Sequence, residues 1–192
     1  MVVKYDNHYE CLPRKKILID NFCLLSVRKQ DINQIRIWRN SQLNILRQDK
    51  EISETEQNNY YENNVFNQFK ASKPDNIIFS FLKNNILIGY GGLVHIEWER
   101  SFAEVSFLAE TKIAGTEEDY NVMLPSFLRA IKDVAFNDLK LNKLSAELYD
   151  IRPNYKKTLI LNDFIVENVL KKNVLIENDY RDSIIFGCVN KK

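Results

Sequence analysis

The sequence predicts an α+β fold in which a mixed, mostly antiparallel central sheet is flanked by helices. Apolar residues alternate along residues 77–82, 86–96 and 102–109, as in three consecutive strands of a meander. Apolar residues fall at helical spacing after Asp31 and again over residues 117–137. The predicted order is a strand, two helices, three strands, a helix, a strand, a helix and two strands.

The first half of the chain supplies a strand and two helices. Residues 17–27 carry two apolar runs around Asp20 and Asn21, which indicates a hairpin or an entering strand. Asp31 precedes Gln34 by three residues, as in a capping box, and the helix predicted after it carries Ile32, Ile35 and Trp38 at helical spacing. Ser53 and Glu56 repeat the capping pattern before a second predicted helix.

The second half begins with a hairpin and ends with one. The dipeptide Asn84 and Asn85 predicts a tight turn between the first two strands of the meander. Pro125 lies inside the long predicted helix, so it must sit near the first turn or kink the helix. A short strand over residues 144–148, a helix containing KKTLIL and a closing hairpin over residues 164–176 and 183–189 complete the fold.

Composition excludes several classes of protein. The 192 residues carry a net charge of +1, so no overall field attracts nucleic acid or an anionic membrane. No apolar run is long enough for membrane insertion, the spacing of Cys and His suggests no metal, and three separated cysteines are typical of reduced thiols. We expect one domain over residues 1–192, with residues 1–16 as an N-terminal extension, in the cytoplasm.

Three segments resemble the GNAT acyltransferase superfamily: IRIWRN (residues 35–40), IGYGGLV (88–94) and AEVSFL (103–108). The resemblance extends from about residue 24 to residue 189. The WRN piece is similar to sugar-modifying members encoded with surface-polysaccharide pathways. The resemblance implies an N-acetyltransferase that moves an acetyl group from acetyl-CoA to a small amine, with a nucleotide-linked amino sugar as one candidate acceptor.

The resemblance also implies where coenzyme A would bind. The pantetheine arm would pair with a strand edge at Phe107, Leu108 and Ala109, and backbone N–H groups at the following helix start would hold the pyrophosphate. In the superfamily's phosphate loop, the basic slot is filled here by Ala114, the first glycine slot by Gly115 and the second by Glu117.

Acidic residues crowd that predicted phosphate site. Glu117, Glu118 and Asp119 occupy the first turn of the helix, and Thr116 can cap it, so the carboxylates would compete with a pyrophosphate. Lys112 would offset part of this repulsion. The alternative is a capped, solvent-facing helix start with no ligand nearby.

The candidate general base lies on the hairpin formed by the second and third strands of the meander. If residues 98–101 form its turn, residues whose numbers sum to 199 pair across it, which places His95 opposite Glu104. Such a pair can hold an ammonium group or take its proton. The alternative is an ion pair on the face of the sheet.

The residue that would protonate the leaving thiolate departs from the superfamily pattern. Aligned on Phe164, the usual tyrosine slot holds Leu159, the asparagine slot Arg152, the small-residue slot Tyr155 and the glycine slot Asp163. We expect Tyr155 as a substitute acid and Arg152 near the cofactor, with an exposed, unreactive tyrosine as the alternative.

Acceptor contacts are expected from Trp38, Arg39, Asn40 and Arg47. Trp38 falls on a helical core position, whereas Arg39 or Arg47 facing a cleft can pair with a nucleotide diphosphate. The polar cluster NNYYENN can cover the acceptor as a lid or form a plain surface helix.

Two other functions stay open at this point. One is a binding or assembly module of the same fold that has lost the acyl-CoA site. The other is acyl transfer from an acyl-carrier protein, for which an acid-rich loop costs less. A homodimer that pairs through the strand SIIFGCV is also left open.

Overall fold

The computed structural model describes residues 8–46, 48–114 and 117–191. Its strands are β1 Lys16–Ile19, β2 Phe22–Ser26, β3 Ile77–Lys83, β4 Ile86–Glu97, β5 Phe102–Ala109, β6 Lys143–Tyr149, β7 Ile165–Ile176 and β8 Asp179–Val189. Its α-helices are α1 Ile32–Asn40, α2 Glu54–Tyr60, α3 Thr111–Ala114, α4 Glu117–Asp133 and α5 Pro153–Leu161. The chain continues beyond α2 as a π-helical turn, Tyr61–Val65, and beyond α4 as another, Val134–Asp138.

The eight strands form one sheet in the order β1-β2-β3-β4-β5-β6-β8-β7. All neighbours are antiparallel except β5 and β6. The predicted α+β class with a mostly antiparallel sheet is therefore confirmed. The strand SIIFGCV lies in β8, between β6 and β7, so it is not an exposed edge, and the dimer pairing through it that the sequence left open is wrong. The outer strands of the sheet are β1 and β7.

The two faces of the sheet bury different partners. Phe107 on β5 packs against Phe127 of α4 with 4.3 Å between ring centroids, and Phe81 of β3 lies 5.5 Å from Phe127. Because neighbouring residues of a strand point to opposite faces, Ser106 faces away from α4. Ile35 and Trp38 of α1 are buried in the same continuous core.

Glycines in β4 allow this close packing. A Cβ at Gly91 would lie 2.1 Å from the carbonyl oxygen of Ser106, and one at Gly92 would lie 1.9 Å from that of Ile77. Any side chain there would force β4 away from its neighbours. Gly91 and Gly92 of the IGYGGLV segment are therefore required for the close packing of β4 against β3 and β5.

Two of the predicted local motifs are confirmed and one is wrong. Asn84 and Asn85 adopt φ values of 52° and 65° in the turn between β3 and β4, and Ser53 and Glu56 form the capping box of α2. Asp31 makes no side-chain cap on α1. Its carboxylate instead accepts hydrogen bonds from Arg28 at 2.6 and 2.8 Å and from the Ser80 hydroxyl at 2.6 Å.

Pro125 and the N-terminal extension are both accommodated in the packed structure. Pro125 lies in the middle of α4, where its missing N–H leaves one helical hydrogen bond unmade. In the extension, Tyr9 is fully buried and its hydroxyl accepts a hydrogen bond from the Ile78 N–H at 3.0 Å. The described end of the extension thus belongs to the core.

Candidate functional site

The sheet opens between β5 and β6. These parallel strands pair over only three positions, Phe102 with Lys143, Ala103 with Leu144 and Glu104 with Ser145. Beyond them β5 continues beside β4 to Ala109, while β6 continues beside β8 to Tyr149. The backbone edge of residues 105–109 is therefore the place where an extended ligand can add to the sheet.

A cavity of about 400 Å³ lies on the face of the sheet opposite α4. Its floor comes from β3, β4 and β5, and its walls come from α1, α2, the π-helical turn and the segment before α2. The described lining residues are Arg39, Lys50, Ile52, Glu56, Gln57, Tyr60, Tyr61, Val65, Ile78, Tyr90, Val94 and Ser106. Three tyrosines, two cations and one carboxylate thus surround a space of small-molecule size.

The Arg39 side chain extends from α1 along the cavity to the sheet. Its Nη1 donates to the Tyr90 hydroxyl at 2.9 Å and its Nε donates to Oε1 of Gln48 at 2.9 Å. Burial raises the pKa of the Tyr90 phenol, and the Arg39 charge lowers it only in part. Tyr61, beside them, has its pKa raised well above the ordinary value by burial, so both phenols stay protonated near neutral pH.

Asn40 and Trp38 have different roles from Arg39. The Asn40 side chain accepts a hydrogen bond from the Ile52 N–H and donates one to the Ile52 carbonyl, both at 2.9 Å. It thereby fixes the segment that supplies Lys50 and Ile52 to the cavity. Trp38 is only 4% exposed and packs in the core, which favours the core interpretation of that residue.

The predicted pairing of His95 with Glu104 is wrong. Glu104 lies opposite Val94, and an irregularity between Val94 and Glu97 shifts the register. His95 occupies the shifted segment with a φ of 51°, and its side chain is exposed. One extra residue at a bulge is enough to move a side chain out of its expected pair.

Glu104 nevertheless lies beside the cavity. It is two residues from Ser106 on β5, so both point to the same face, and its cross-strand neighbour Val94 also lines the cavity. Glu104 and the cavity thus share one face, next to the point where β5 leaves β6. The role of Glu104, like that of the other predicted site residues, stays a prediction.

The strand edge predicted to bind the acyl donor is fixed by hydrogen bonds at its C-terminal end. The Ala109 carbonyl accepts a hydrogen bond from the buried Gln42 side chain at 3.0 Å, and the Glu110 N–H donates to Ile88 at 2.8 Å. Leu108 and Ala109 are both buried. Gln42 was not anticipated as a member of the site, because its partner is 67 residues away in sequence.

The segment predicted to bind the pyrophosphate of coenzyme A lies largely outside the described residues. Gly115 and Thr116 lie outside them, as does Arg47, and of residues 117–120 only the backbone of α4 is described. Ala114 ends α3, and Lys112 is exposed on the same short helix. The competition predicted between the acids and a pyrophosphate therefore stays a prediction.

The start of α5 places Tyr155 in the interior. Tyr155 is 4% exposed, so the alternative of a solvent-exposed tyrosine is wrong. The Arg152 guanidinium stacks 4.3 Å from the centre of its ring. Leu159, in the slot usual for the catalytic tyrosine, is fully buried.

Asp163 replaces a glycine without changing the backbone it requires. Its φ is 69°, in the left-handed region that aspartate tolerates better than most residues. Its carboxylate binds Lys132 at 2.9 Å and Lys191 at 2.8 Å. This departure from the superfamily pattern is consistent with an intact fold.

Sheet order, splay and adjoining cavity together define the class as an acyltransferase-type α+β fold. The family model described as "Acetyltransferase (GNAT) domain" matches residues 24–185, so the chain belongs to that family. A search of curated proteins finds no significant match.

Solved structures share the fold at low sequence identity. The spermidine N-acetyltransferase from Vibrio cholerae in complex with CoA and spermine superposes with a TM-score of 0.76 and 17% identity, covering 90% of this chain and 97% of that one. A structure described as a probable acetyltransferase gives 0.73 and 13%, covering 92% and 97%. A dodecameric form of the Vibrio cholerae enzyme gives 0.71 and 17%, covering 88% and 94%.

Cys11, Cys23 and Cys188 are free thiols. Among the described residues no cluster of His, Cys, Asp and Glu suits a metal ion. Within the same residues, no helix is both long and apolar enough to cross a bilayer.

Proposed function

We propose that this protein transfers an acetyl group from acetyl-CoA to the amine of a small molecule bound in the 400 Å³ cavity. The observation that carries the proposal is the splay between β5 and β6 beside that cavity, with Glu104 on the shared face. The fold neighbours include enzymes described as spermidine N-acetyltransferases, which supports an amine as the acceptor.

The residues have the following proposed roles. Residues 107–109 pair with the pantetheine arm, Glu104 removes a proton from the acceptor ammonium directly or through water, and the amine attacks the thioester carbon. The carbon–sulfur bond then breaks, and the thiolate of coenzyme A takes a proton, for which Tyr155 is the proposed donor. The acylated nitrogen gives its remaining extra proton to water, from which Tyr155 is reprotonated. His95, exposed on the bulge, keeps at most a contact with the incoming amine.

The backbone edge that β5 presents past Glu104 is the proposed site of coenzyme A. When bound it would supply the activated acetyl group, and Lys112 and Arg152 are the proposed cations near it. Within the acceptor class, an amino sugar on a nucleotide carrier stays our candidate because the WRN segment provides Arg39 to the cavity. A homodimer is also retained as a proposal, to be tested by sedimentation velocity.

Calorimetry with acetyl-CoA tests the donor half of the proposal. Binding in the micromolar to millimolar range is expected, whereas no heat at millimolar ligand would favour a module without an acyl-CoA site. Competition by an acylated carrier protein, with weak acetyl-CoA binding, would instead favour the carrier as donor.

Glu104→Gln tests whether Glu104 is the general base of the proposed reaction. We expect turnover to fall about 100-fold or more, in line with loss of a general base, with coenzyme affinity nearly unchanged. Glu97→Gln is the matched control, since Glu97 lies on the same hairpin but pairs with Arg100 at the surface. Equal losses in the two variants would remove Glu104 from the mechanism.

A further inference from the structure

Arg39 is a partly buried cation with no carboxylate partner among the described residues. The hydrogen-bond partners of its guanidinium are the Tyr90 hydroxyl and the Gln48 amide oxygen, both neutral. Two of its five N–H groups are used in these bonds. A buried charge is normally paired, because the cost of removing it from water is high.

Arg28 shows what a structural arginine looks like in this chain. Its Nε and Nη2 contact both oxygens of Asp31, at 2.6 and 2.8 Å, and the pair is almost entirely buried. Arg39, on the helix that follows, forms hydrogen bonds to neutral partners instead. Its difference from Arg28 is that it lines an open cavity.

The other charges of the cavity do not neutralise Arg39. Lys50 and Glu56 pair with each other at 3.4 Å, and Glu56 also accepts from the Ser53 backbone and hydroxyl. Tyr61 and Tyr90 are buried phenols and stay uncharged. The described lining therefore holds two cations and one carboxylate, and the neighbouring Glu104 is the proposed partner of the amine, which leaves Arg39 for an anionic group.

We infer that Arg39 binds an anionic group on the acceptor, a carboxylate or a phosphate, and that the cavity disfavours polycationic amines. The inference rests on the proposed acetyl transfer and specifies the chemical class of its acceptor. The planar guanidinium presents parallel donors that match either anion, and the protonated tyrosine hydroxyls add neutral donors. The amine would then point along the cavity floor toward Ser106 and Glu104.

The inferred specificity differs from the substrates for which the fold neighbours are named. Those enzymes are described as acting on spermidine or spermine, which carry several positive charges and no anionic group. Glu104 can face one ammonium group of such a ligand, and Arg39 in the lining repels the others. A shared fold at 17% identity leaves room for this change in acceptor.

The test compares three amines with acetyl-CoA as donor: glucosamine, glucosamine 6-phosphate and spermidine. For the wild type we expect a KM for the phosphorylated sugar about 10- to 100-fold below that for glucosamine, the range for a charge-assisted contact. Spermidine should be the poorest substrate. In Arg39→Met the ratio between the two sugars should fall to near one.

Arg36→Met is the matched control. Arg36 lies on the same helix, bonds to Asn33 and to the Ile52 carbonyl, and does not line the cavity, so its loss should leave the ratio unchanged. If Arg39→Met does not fold, as judged by circular dichroism, Arg39→Lys keeps the charge without the fork and should give an intermediate ratio. A ratio unaffected by either Arg39 variant, or a preference for spermidine, would overturn the inference.

Direct binding separates this inference from the proposed function. Inorganic phosphate, glycine and uridine diphosphate are titrated by calorimetry into the wild type and Arg39→Met without acetyl-CoA, which distinguishes phosphate, carboxylate and nucleotide as the anion. Anion binding lost in Arg39→Met supports the site even if no acetyl-CoA binds and the proposed reaction fails. Acetylation with no Arg39-dependent anion binding supports the reaction and removes the anion site.

Discussion

Asp31 lies at the start of α1 but binds residues outside that helix. Its carboxylate contacts Arg28 and, through β3, Ser80. Asp31→Ala should lower the free energy of unfolding by about 3–5 kcal/mol, since it removes one member of a buried ion pair. Urea denaturation measures this, with Glu97→Ala, which breaks a surface pair worth about 0–1 kcal/mol, as the control. A loss as small as the control's would contradict the buried network.

The Asp31 network also shows a limit of prediction at the scale of one residue. The spacing of Asp31 and Gln34 fits a capping box, and no local pattern indicates that Ser80, 49 residues away, is a stronger partner. Similarly, Tyr90 lies within a segment recognised for its glycines, and the contact between its hydroxyl and Arg39 joins residues 51 positions apart in sequence. Side-chain partners from distant strands depend on tertiary packing, which spacing does not encode.

Asp163 should make stability depend on acidity. Lys191 and Lys132 hold the pKa of its carboxyl at about 2, below the value near 4 expected when unfolded. Because the folded pKa is depressed, the contribution is present above about pH 4 and is lost as the pH falls toward 2. Asp163→Asn should have a lower Tm than the wild type at pH 7, with the difference vanishing near pH 2.

Salt provides the control for this pH effect. The Asp163 side chain is about half exposed, so its ion pairs are screened and their effect should be small. The Tm difference at pH 7 should shrink further in about 1 M NaCl. A difference that persists unchanged at pH 2 would mean that the backbone conformation of Asp163, rather than its charge, is responsible.

At the scale of elements, repeating patterns predicted the fold well and irregularities were missed. Alternation placed β3, β4 and β5, and the asparagine pair placed their first turn, because these patterns reflect which face is buried. The irregularity between Val94 and Glu97 could not be read from alternation, since one inserted residue shifts every later pair. That single shift separated His95 from Glu104, while Glu104 kept its place on the cavity face.

Asn40 connects α1 to the segment before α2 that lines the cavity. Asn40→Ala removes both hydrogen bonds to Ile52 and should lower the free energy of unfolding by about 1–3 kcal/mol. The KM for the acceptor should rise while the affinity for acetyl-CoA is kept. Asn33→Ala, on the exposed face of α1, is the control and should change neither. A parallel loss of acetyl-CoA affinity would show that α1 positions the donor as well.

At the scale of the whole molecule, the sheet consists of two blocks with a narrow junction. β1 to β5 form one block and β6, β8 and β7 the other, joined by three parallel residue pairs and by the Asn142 and Lys143 N–H groups, which both donate to Ser101. A ligand that adds to the free edge of β5 would satisfy backbone groups that the junction leaves unpaired. It should therefore slow local opening there more than elsewhere.

Hydrogen exchange with mass spectrometry tests this expectation. Saturating acetyl-CoA should slow exchange in peptides covering residues 105–112, while peptides from β1 and β2, at the far edge of the sheet, should change little. Ligand at 100 times its Kd stabilises the native state by about 2.7 kcal/mol, so global protection is limited to the most stable amides. Desulfo-coenzyme A, which lacks the thiol but keeps the pantetheine amides, should give the same pattern if strand addition is the cause. Protection confined to α3 and the residues after it, with none over residues 105–109, would mean that the ligand is held by its phosphates and that the splay does not bind it.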